Sequence, residues 1–261
     1  MQPTDLLVLK SVFGNAIGSE ASLPNQAGPQ MEMAPDPKSM VKILFTRLCD
    51  PLPEDLWVEL FRSLPPLLRQ DVSRYLRWQD RQSRLLGKLL LRQCLARYGH
   101  GDDCLEHLSA ERFGKPVVSG ALDFSISHSH EYTVCAVTDQ GKIGIDIEKI
   151  RNIDLEDFVI CMTPDEREKI AASDDKDRAF FRFWTRKECV LKADGRGLLI
   201  PMQEASMQGE EAILQEIRWF VCEVEIDPAC VCHLATSFRS DQVVLKETTS
   251  QDLLASACST P

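Results

Sequence analysis

The sequence predicts an α+β protein built from two similar halves that meet near residue 142. Two observations lead to this expectation. On each side of that point a strongly helical segment is followed by strand-like segments, and the chain of 261 residues is long enough for two small units or one large domain. The halves share no visible residue repeat, so the expectation depends on the order of the elements.

The first half contains one helical segment and a hairpin. Leucines recur at helical spacing over residues 71–98, and Gly99 follows as a stop signal. Residues 122–128 and 132–138 have strand-like patterns, and the short polar segment 129–131 between them predicts a tight turn.

The second half has a clear helix start. Thr163 and Pro164 are residues preferred at the N-cap and the first helical position, and Glu166 is placed to complete a capping box. Gly195 and Gly197 would end a second, longer helix. The other predicted elements of this half are that helix over residues 177–193 and strands over residues 142–148, 213–224 and 231–238.

The two ends of the chain differ in composition from the middle. Residues 1–40 contain five prolines and little apolar periodicity, so we expect a flexible, proline-rich N-terminal extension. Residues 248–261 are small and polar, which predicts a flexible tail. The expected boundaries are therefore 41–141 for the N-terminal half and 142–247 for the C-terminal half.

Composition narrows the function classes. The formal net charge is −10, which argues against nucleic acid and anionic membranes as partners. No apolar run is long enough to cross a bilayer. The ten cysteines are scattered through apolar stretches, so we expect reduced, mostly buried thiols in a cytoplasmic protein.

One segment runs against the acidic average. From Arg62 to Arg97 the charged residues are basic apart from Asp71 and Asp80. Such a segment is either a solvated helix face or a binding region for a phosphate-rich ligand, and its composition alone favours the solvated face.

Asp146 and Glu148 lie on the predicted strand 142–148. Side chains alternate along a strand, so these two share one face while Ile145 and Ile147 point into the core. Neighbouring carboxylates repel each other unless a proton or a cation lies between them, and hard oxygen ligands favour magnesium, manganese or calcium over zinc. An amphipathic edge strand with a polar outer face would show the same alternation.

Trp184, Glu188 and Lys192 are spaced along one face of the predicted helix 177–193. A surface ion pair beside a core tryptophan has the same spacing and is the more common case. The pattern therefore leaves both interpretations open.

Two shorter motifs are equally open. Ser127 and His128 lie at a predicted strand end, where the histidine could bind a phosphate, act as a base or simply belong to a turn. Lys115 and Pro116 follow a glycine and, taken alone, indicate only a turn.

In their order along the chain, four motifs resemble those of the Sfp-like 4′-phosphopantetheinyl transferases. The motifs are Gly114-Lys115-Pro116, Ser125-Ile126-Ser127-His128-Ser129, Gly144-Ile145-Asp146-Ile147-Glu148 and the run from Phe181 to Leu198. Each is weak alone, but four in sequence at compatible spacing are specific. The match extends from about Leu64 to Pro201, roughly half of the chain.

The resemblance implies a fold and a reaction. The fold would be two α/β halves related by a pseudo-twofold axis, with the active site between them. The donor would be coenzyme A and the acceptor a serine of an apo acyl or peptidyl carrier protein, with adenosine 3′,5′-bisphosphate released. The metal would be Mg²⁺, with Mn²⁺ as a possible substitute, and we expect a monomer that binds carrier proteins around residues 157–172.

The resemblance also implies roles for individual residues. Asp146, Glu148 and Glu188 match the family's metal ligands; Glu188 matches the proposed general base, and Lys192 matches a basic residue against the phosphates. The positions that match coenzyme A contacts, with two candidates from the basic segment, are Lys115, Pro116, Ser127, His128, Asp146, Lys192, Arg69 and Arg84.

Two other function classes compete with this one. A metal-dependent nuclease also uses strand carboxylates with a Glu/Lys pair, but its lysine usually lies on the same strand, whereas Lys192 lies on a helix and the chain is acidic. The other class is a coenzyme A-binding protein that has lost transfer, and the presence of all three carboxylates argues against it.

Overall fold

Two β-sheets pack face to face, and a long helix covers the outer face of each. The computed structural model describes residues 40–257, with the backbone alone for residues 102, 198 and 257. The expected N-terminal extension lies outside the described residues, except for Met40, which begins the first strand.

The first unit contains three helices in front of a β-hairpin. Its elements are β1 (Met40–Arg47), α1 (Glu54–Arg62), α2 (Pro66–Ser73), α3 (Trp78–Ala96), β2 (Ser109–Ala110), β3 (Pro116–Val117), β4 (Asp123–Ser129) and β5 (Tyr132–Thr138). Strands β4 and β5 are joined by a two-residue turn in which His130 has a φ of 53°. The hairpin expected around residues 129–131 is confirmed.

The second unit repeats this plan with a longer meander. Its elements are β6 (Ile143–Lys149), α4 (Pro164–Ala171), α5 (Lys176–Asp194), β7 (Ser206–Gln208), β8 (Glu211–Leu214), β9 (Ile217–Glu223) and β10 (Cys230–Thr236). A 3₁₀ helix, Leu155–Cys161, precedes α4. Thr163 forms the expected capping box with Glu166, and Gly195 ends α5 with a φ of 93°.

The strand order is similar in the two sheets. The first sheet has the order β11-β1-β5-β4 and the second has the order β6-β10-β9-β8-β7. In both sheets, the first strand of the unit pairs antiparallel with the last strand of a later hairpin. The first strand is β1 in one unit and β6 in the other, and their partners are β5 and β10. The expected α+β class with an N-terminal and a C-terminal unit is therefore confirmed.

Three apolar clusters hold the layers together. The first lies between α3 and the first sheet and includes Leu89 and Phe124. The second lies between α5 and the second sheet and includes Phe180 and Trp184. The third, with Ile145, fills the space between the sheets. Burial of these side chains is the main stabilising contribution.

The end of the chain differs from the expected boundaries. Strand β11 (Gln242–Glu247) pairs parallel with β1, so it belongs to the first sheet and not to the second half. Residues 250–257 form a helix, α6 (Ser250–Ala257), and its Leu253 is fully buried in the first apolar cluster. The flexible tail expected from residue 248 is wrong for this segment, because Leu253 is anchored and Thr249 caps the helix by exchanging hydrogen bonds with Asp252.

The helix expected over residues 71–98 is two helices. Helix α2 ends at Ser73, and α3 starts at Trp78 after an extended Arg77. Leu76, one of the leucines at helical spacing, is 94% exposed in the connection. The apolar spacing continues across a change in chain direction that periodicity cannot detect.

The strand expected over residues 213–224 is a hairpin. Strands β8 and β9 are joined at Gln215 and Glu216, which have φ values of 47° and 69°. Two positive φ values are typical of a tight hairpin turn, but glycine, asparagine or aspartate usually fill those positions. The sequence therefore carries no turn signal here.

Two further observations on the described residues concern membrane crossing and the cysteines. No helix within residues 40–257 combines the length and the apolar character that a membrane crossing requires. The nine cysteines of this part of the chain are free thiols, and seven of them are buried.

Candidate active site

Strand β6 presents its carboxylates to helix α5. Asp146 and Glu148 lie on the side of the strand that faces the helix, whereas Ile145 and Ile147 are fully buried between the sheets. The alternation expected from the sequence is therefore confirmed. Asp146 is only 4% exposed, so its charge needs a partner inside the protein.

Gly144 allows α5 to pack directly against β6. A Cβ atom at this position would lie 1.9 Å from the carbonyl oxygen of Cys189 and 2.4 Å from the backbone nitrogen of Ala193. Only a residue without a side chain fits this approach. The close packing brings Glu188 and Lys192 of α5 to the carboxylates of β6.

The ammonium group of Lys192 contacts Asp146 directly. Lys192 Nζ donates to Asp146 Oδ1 at 2.6 Å and to Ser127 Oγ at 2.9 Å, and the Ser127 hydroxyl donates to the same Asp146 oxygen at 2.8 Å. Burial acts to lower the pKa of Lys192, but the Asp146 and Glu188 carboxylates outweigh burial and leave the pKa raised. Lys192 is therefore a charged ammonium at neutral pH.

Glu148 receives two hydrogen bonds on one oxygen. The Ser129 hydroxyl donates to Glu148 Oε2 at 2.8 Å, and the Arg151 guanidinium donates to the same atom at 3.1 Å. Burial and the Asp146 charge still raise the pKa of Glu148. The two donors therefore stabilise a carboxylate whose surroundings disfavour its charge.

Glu188 is a buried carboxyl group with an unpartnered oxygen. It is 7% exposed, and its buried Oε1 accepts no hydrogen bond from any described residue. Burial raises the pKa of Glu188 to about 7; the charges of Asp146 and Glu148 act in the same direction and that of Lys192 against it. A carboxylate with such a pKa can accept a proton at neutral pH.

The three carboxylates have the donor chemistry of a magnesium site. Asp146 Oδ2, like Glu188 Oε1, is buried without a donor among the described residues, and unpartnered buried oxygens call for a cation. Within residues 40–257, however, no three His, Cys, Asp or Glu side chains are already arranged to hold a metal ion. The ammonium group of Lys192 is paired with Asp146 in this structure. The three carboxylates therefore have the right chemistry for a magnesium ion, but their side chains must rearrange to bind it.

The neighbouring part of the cluster is basic. Burial, together with the positive charges of Arg84 and Lys192, lowers the pKa of His128 to about 4. Arg84 packs on the Tyr75 ring at 4.9 Å, and its buried Nε–H has no acceptor among the described residues. An unsatisfied donor beside a neutral imidazole and an ammonium group suits an anionic ligand.

Lys115 lies at the opposite end of β6 from Glu148. Its ammonium group donates to Asp123 Oδ2 at 2.6 Å, to the Ile143 carbonyl at 3.1 Å and to the Ala193 carbonyl at 3.4 Å. Three acceptors match the three N–H donors of an ammonium group. The structure places Lys115 as a buried contact between the two units, with Pro116 beside it at the start of β3. Their expected contacts with coenzyme A stay predictions.

The basic segment serves several purposes. Lys88 forms an ion pair with Asp71 at 2.7 Å, and Arg92 donates to a backbone carbonyl at 3.0 Å. Arg84 reaches the surroundings of His128, but no contact described for residues 40–257 joins Arg69 to the carboxylate cluster. The two candidate arginines are thus placed very differently.

A row of polar side chains on β4 binds the backbone of β6, a role that the sequence motif does not reveal. Every second side chain of β4 accepts a hydrogen bond from a backbone N–H of β6. The pairs are Asp123 with Ile143, Ser125 with Ile145, Ser127 with Ile147, and Ser129 with Lys149. Their period of two was visible, but such a row usually indicates a solvent-facing strand side. Here all four side chains are buried between the sheets.

Comparison with known proteins identifies the family of the chain. Residues 142–244 match the family model described as the 4′-phosphopantetheinyl transferase superfamily, and residues 50–140 match the model described as the N-terminal part of a 4′-phosphopantetheinyl transferase. The chain belongs to the 4′-phosphopantetheinyl transferase family and is a phosphopantetheinyl transferase enzyme.

Curated relatives show the same relationship. The chain is 30% identical over 198 residues to 4′-phosphopantetheinyl transferase Sfp of Bacillus subtilis (strain 168), covering 70% of this chain and 88% of the relative. It is 32% identical to 4′-phosphopantetheinyl transferase gsp of Aneurinibacillus migulanus, covering 62% and 69%. It is 30% identical to the L-aminoadipate-semialdehyde dehydrogenase-phosphopantetheinyl transferase of Rattus norvegicus, covering 56% and 53%.

Proposed function

We propose that the chain transfers phosphopantetheine from coenzyme A to a serine of an apo acyl or peptidyl carrier protein. The convergence of the buried carboxyl groups of Asp146 and Glu188 with the ammonium group of Lys192 carries this proposal. The serine oxygen forms a bond to the phosphorus that bears pantetheine, and the pyrophosphate P–O bond breaks. Adenosine 3′,5′-bisphosphate leaves with the electron pair of that bond.

Glu188 accepts the proton of the attacking serine. Its pKa of about 7 supports this role. At neutral pH part of the population is ionised and can accept a proton, and the protonated form can release that proton again after the reaction. A carboxylate has two oxygens, so one oxygen of Glu188 can take that proton while the other holds the metal. Burial beside Asp146 thus converts an ordinary carboxylate into a base of suitable strength.

Asp146, Glu148 and Glu188 would hold Mg²⁺, for which Mn²⁺ could substitute. When bound, the ion would neutralise charge on the pyrophosphate oxygens of the leaving group. The chain supplies hard oxygen ligands, and two of these oxygens accept no hydrogen bond from the described residues. They lie on β6 and α5, which pack directly against each other at Gly144. Phosphoryl-type transfer depends mainly on positioning and charge stabilisation, which these carboxylates would supply once they rearrange around the ion.

Lys192, His128 and Arg84 bind the phosphate groups of coenzyme A, together with Ser127. Lys192 brings a fixed charge, and Arg84 brings a buried N–H that lacks an acceptor among the described residues. His128 is neutral in the free protein, and a phosphate beside it would raise its pKa again.

Carrier proteins dock on the region around residues 157–172. A cleft of about 370 Å³ lies beside α4, and Phe158, Met162 and Ile170 line part of it. Ile160 is 76% exposed next to the cleft. Phe158 packs edge-on against Trp184 at 5.5 Å, one helical turn before Glu188, so a carrier held here is near the base.

The remaining expectations form part of the same proposal. The shared strand order supports a pseudo-twofold relation between the two units, with the active site where β4, β6 and α5 meet. Since both units lie in one chain, a monomer suffices for activity. The buried free thiols agree with a cytoplasmic location.

Mass spectrometry of a panel of apo carrier proteins tests the proposal. Each fatty-acid, polyketide or peptide-synthetase carrier is incubated with the protein, coenzyme A and Mg²⁺. We expect at least one carrier to gain a single phosphopantetheine on its serine. Absence of an adduct on every carrier, with cleavage of plasmid DNA under the same conditions, would favour the nuclease alternative.

A further inference from the structure

We propose that Ser129 is a positioning residue that orients Glu148 for metal binding. The inference rests on the proposed function, because it takes Glu148 as a ligand of the metal. Ser129 is not one of the residues that the sequence motifs led us to expect in the site. It lies at the end of β4, is 7% exposed, and contacts β6 from the neighbouring sheet.

Strand β6 is the edge strand of its sheet, and its free edge is covered by side chains of β4. Ser129 Oγ accepts the N–H of Lys149 at 3.1 Å, just as Ser125 Oγ accepts the N–H of Ile145 at 3.1 Å. Buried backbone donors require such acceptors. The hydroxyl of each serine is therefore fixed in place by the backbone of the partner strand.

Two of these serines also donate to a carboxylate on β6. Ser127 donates to Asp146 Oδ1 at 2.8 Å, and Ser129 donates to Glu148 Oε2 at 2.8 Å. A hydroxyl has one proton, and an ionised carboxylate can only accept, so the direction of both bonds is determined. Each serine thus joins the N–H of one β6 residue to the carboxylate of the residue before it.

Glu148 needs this contact more than Asp146 does. Asp146 is short and is also held by Lys192, whereas Glu148 has a longer side chain whose other described donor is Arg151. Arg151 packs over the Phe181 ring at 4.9 Å, outside the row of serines. Without the Ser129 hydroxyl, the carboxylate loses the donor that is anchored to β4 and adopts additional orientations. Groups that orient metal ligands in this way typically contribute about 10- to 100-fold to metal affinity.

Ser125 is a matched control within the same strand. It accepts a β6 N–H at the same 3.1 Å distance and is likewise 7% exposed. The β6 residue beside it is Gly144, which has no side chain to orient. Ser125→Ala and Ser129→Ala therefore each remove one hydroxyl that accepts a β6 backbone N–H, and only Ser129→Ala also removes a donor to a carboxylate.

The test measures Mn²⁺ binding by electron paramagnetic resonance with coenzyme A present and no carrier protein, so that no turnover occurs. We expect Ser129→Ala to weaken Mn²⁺ binding about tenfold, Ser125→Ala to leave it near wild type, and Ser129→Thr, which keeps the hydroxyl, to restore it. Both alanine variants should lower the urea midpoint of unfolding by similar amounts. In steady-state assays, Ser129→Ala should raise the half-saturating Mg²⁺ concentration and leave the KM for coenzyme A nearly unchanged.

Equal Mn²⁺ affinities of Ser129→Ala and Ser125→Ala would overturn the inference, whether both are normal or both are weakened. A Ser129→Thr variant that folds but binds Mn²⁺ as weakly as Ser129→Ala would also overturn it. Glu148→Gln separates this failure from that of the proposed function. If Glu148→Gln binds Mn²⁺ normally, then Glu148 is not a ligand, and both its proposed metal role and the positioning role of Ser129 fail; if only Glu148→Gln is weak, the positioning role alone fails.

Discussion

Lys192 Nζ lies 2.6 Å from Asp146 Oδ1, although the two residues are 46 positions apart in the chain. The contact joins helix α5 to strand β6 and places a fixed positive charge beside the buried carboxyl group of Glu188. That charge lowers the pKa of Glu188 and opposes the effects of burial and of Asp146.

Replacing Lys192 by methionine should shift the pH dependence of transfer. Loss of the positive charge leaves burial and Asp146 unopposed, so the pKa of Glu188 rises and the base is protonated over a wider pH range. We expect the rising limb of the rate–pH profile to move to higher pH and the maximal rate to fall at least about 100-fold. Profiles of kcat/KM between pH 6 and 9 test this, and an unmoved limb would contradict the assignment of Glu188 as the base.

Glu188 should destabilise the metal-free protein at alkaline pH. Its pKa is raised to about 7 in the folded state from an ordinary value of 4.5, so the folded state binds the extra proton and stability falls as pH rises between those values. Glu188→Gln should therefore be more stable than wild type at pH 8, by up to about 3 kcal/mol, and nearly equal near pH 4.5. Urea unfolding at the two pH values measures the difference, and a difference independent of pH would contradict this account.

Lys115 should be required for stability. Its ammonium group is buried against Asp123 and two carbonyls, so Lys115→Met leaves the Asp123 carboxylate without its cation. Breaking a buried pair in this way typically costs about 3–5 kcal/mol. Chemical denaturation measures the loss, with replacement of the exposed Lys169, paired to Asp165, as a control of small effect.

The same lysine variant tests the contact with coenzyme A that the family resemblance implies for Lys115. If Lys115 also contacts the 3′-phosphate, the KM should rise more for coenzyme A than for its 3′-dephosphorylated analogue. Equal changes in the two KM values would leave Lys115 with a structural role alone.

Gly144→Ala should separate α5 from β6. The added Cβ would meet backbone atoms of Cys189 and Ala193 that cannot rotate away, so the helix must shift and carry Glu188 and Lys192 with it. We expect loss of transfer and a lower melting temperature. Gly101→Ala is the control, because its Cβ would meet only a side-chain oxygen of Asp103. Wild-type transfer by Gly144→Ala would show that the close packing is unnecessary.

The sequence predicts the elements of this site better than it predicts their environment. The alternation around Asp146 and the helical spacing of Glu188 and Lys192 are local patterns, and the structure confirms both. Local patterns cannot show that Lys192 rests on Asp146, because that contact depends on the packing of α5 at Gly144.

Sequence patterns do not reveal the surroundings of the buried polar residues. Ser129 and its neighbours on β4 have the period of a solvent-facing strand, yet they bind the edge of another sheet. Lys115 occurs in a turn motif, and its three buried acceptors come from separate parts of the chain. Likewise, β11 pairs with β1 over about 200 positions, a distance at which residue patterns give no pairing information.

The most direct test of the central claim is single-turnover transfer by Asp146→Asn, followed by intact mass of the apo carrier protein. The substitution keeps the shape of the side chain and removes the charge that pairs with Lys192 and is available to a metal. With coenzyme A and Mg²⁺ present, wild type and the exposed control Asp103→Asn should each add one phosphopantetheine to the carrier serine. Asp146→Asn, folded by circular dichroism, should add it at least about 100-fold more slowly; addition at the wild-type rate would contradict the account.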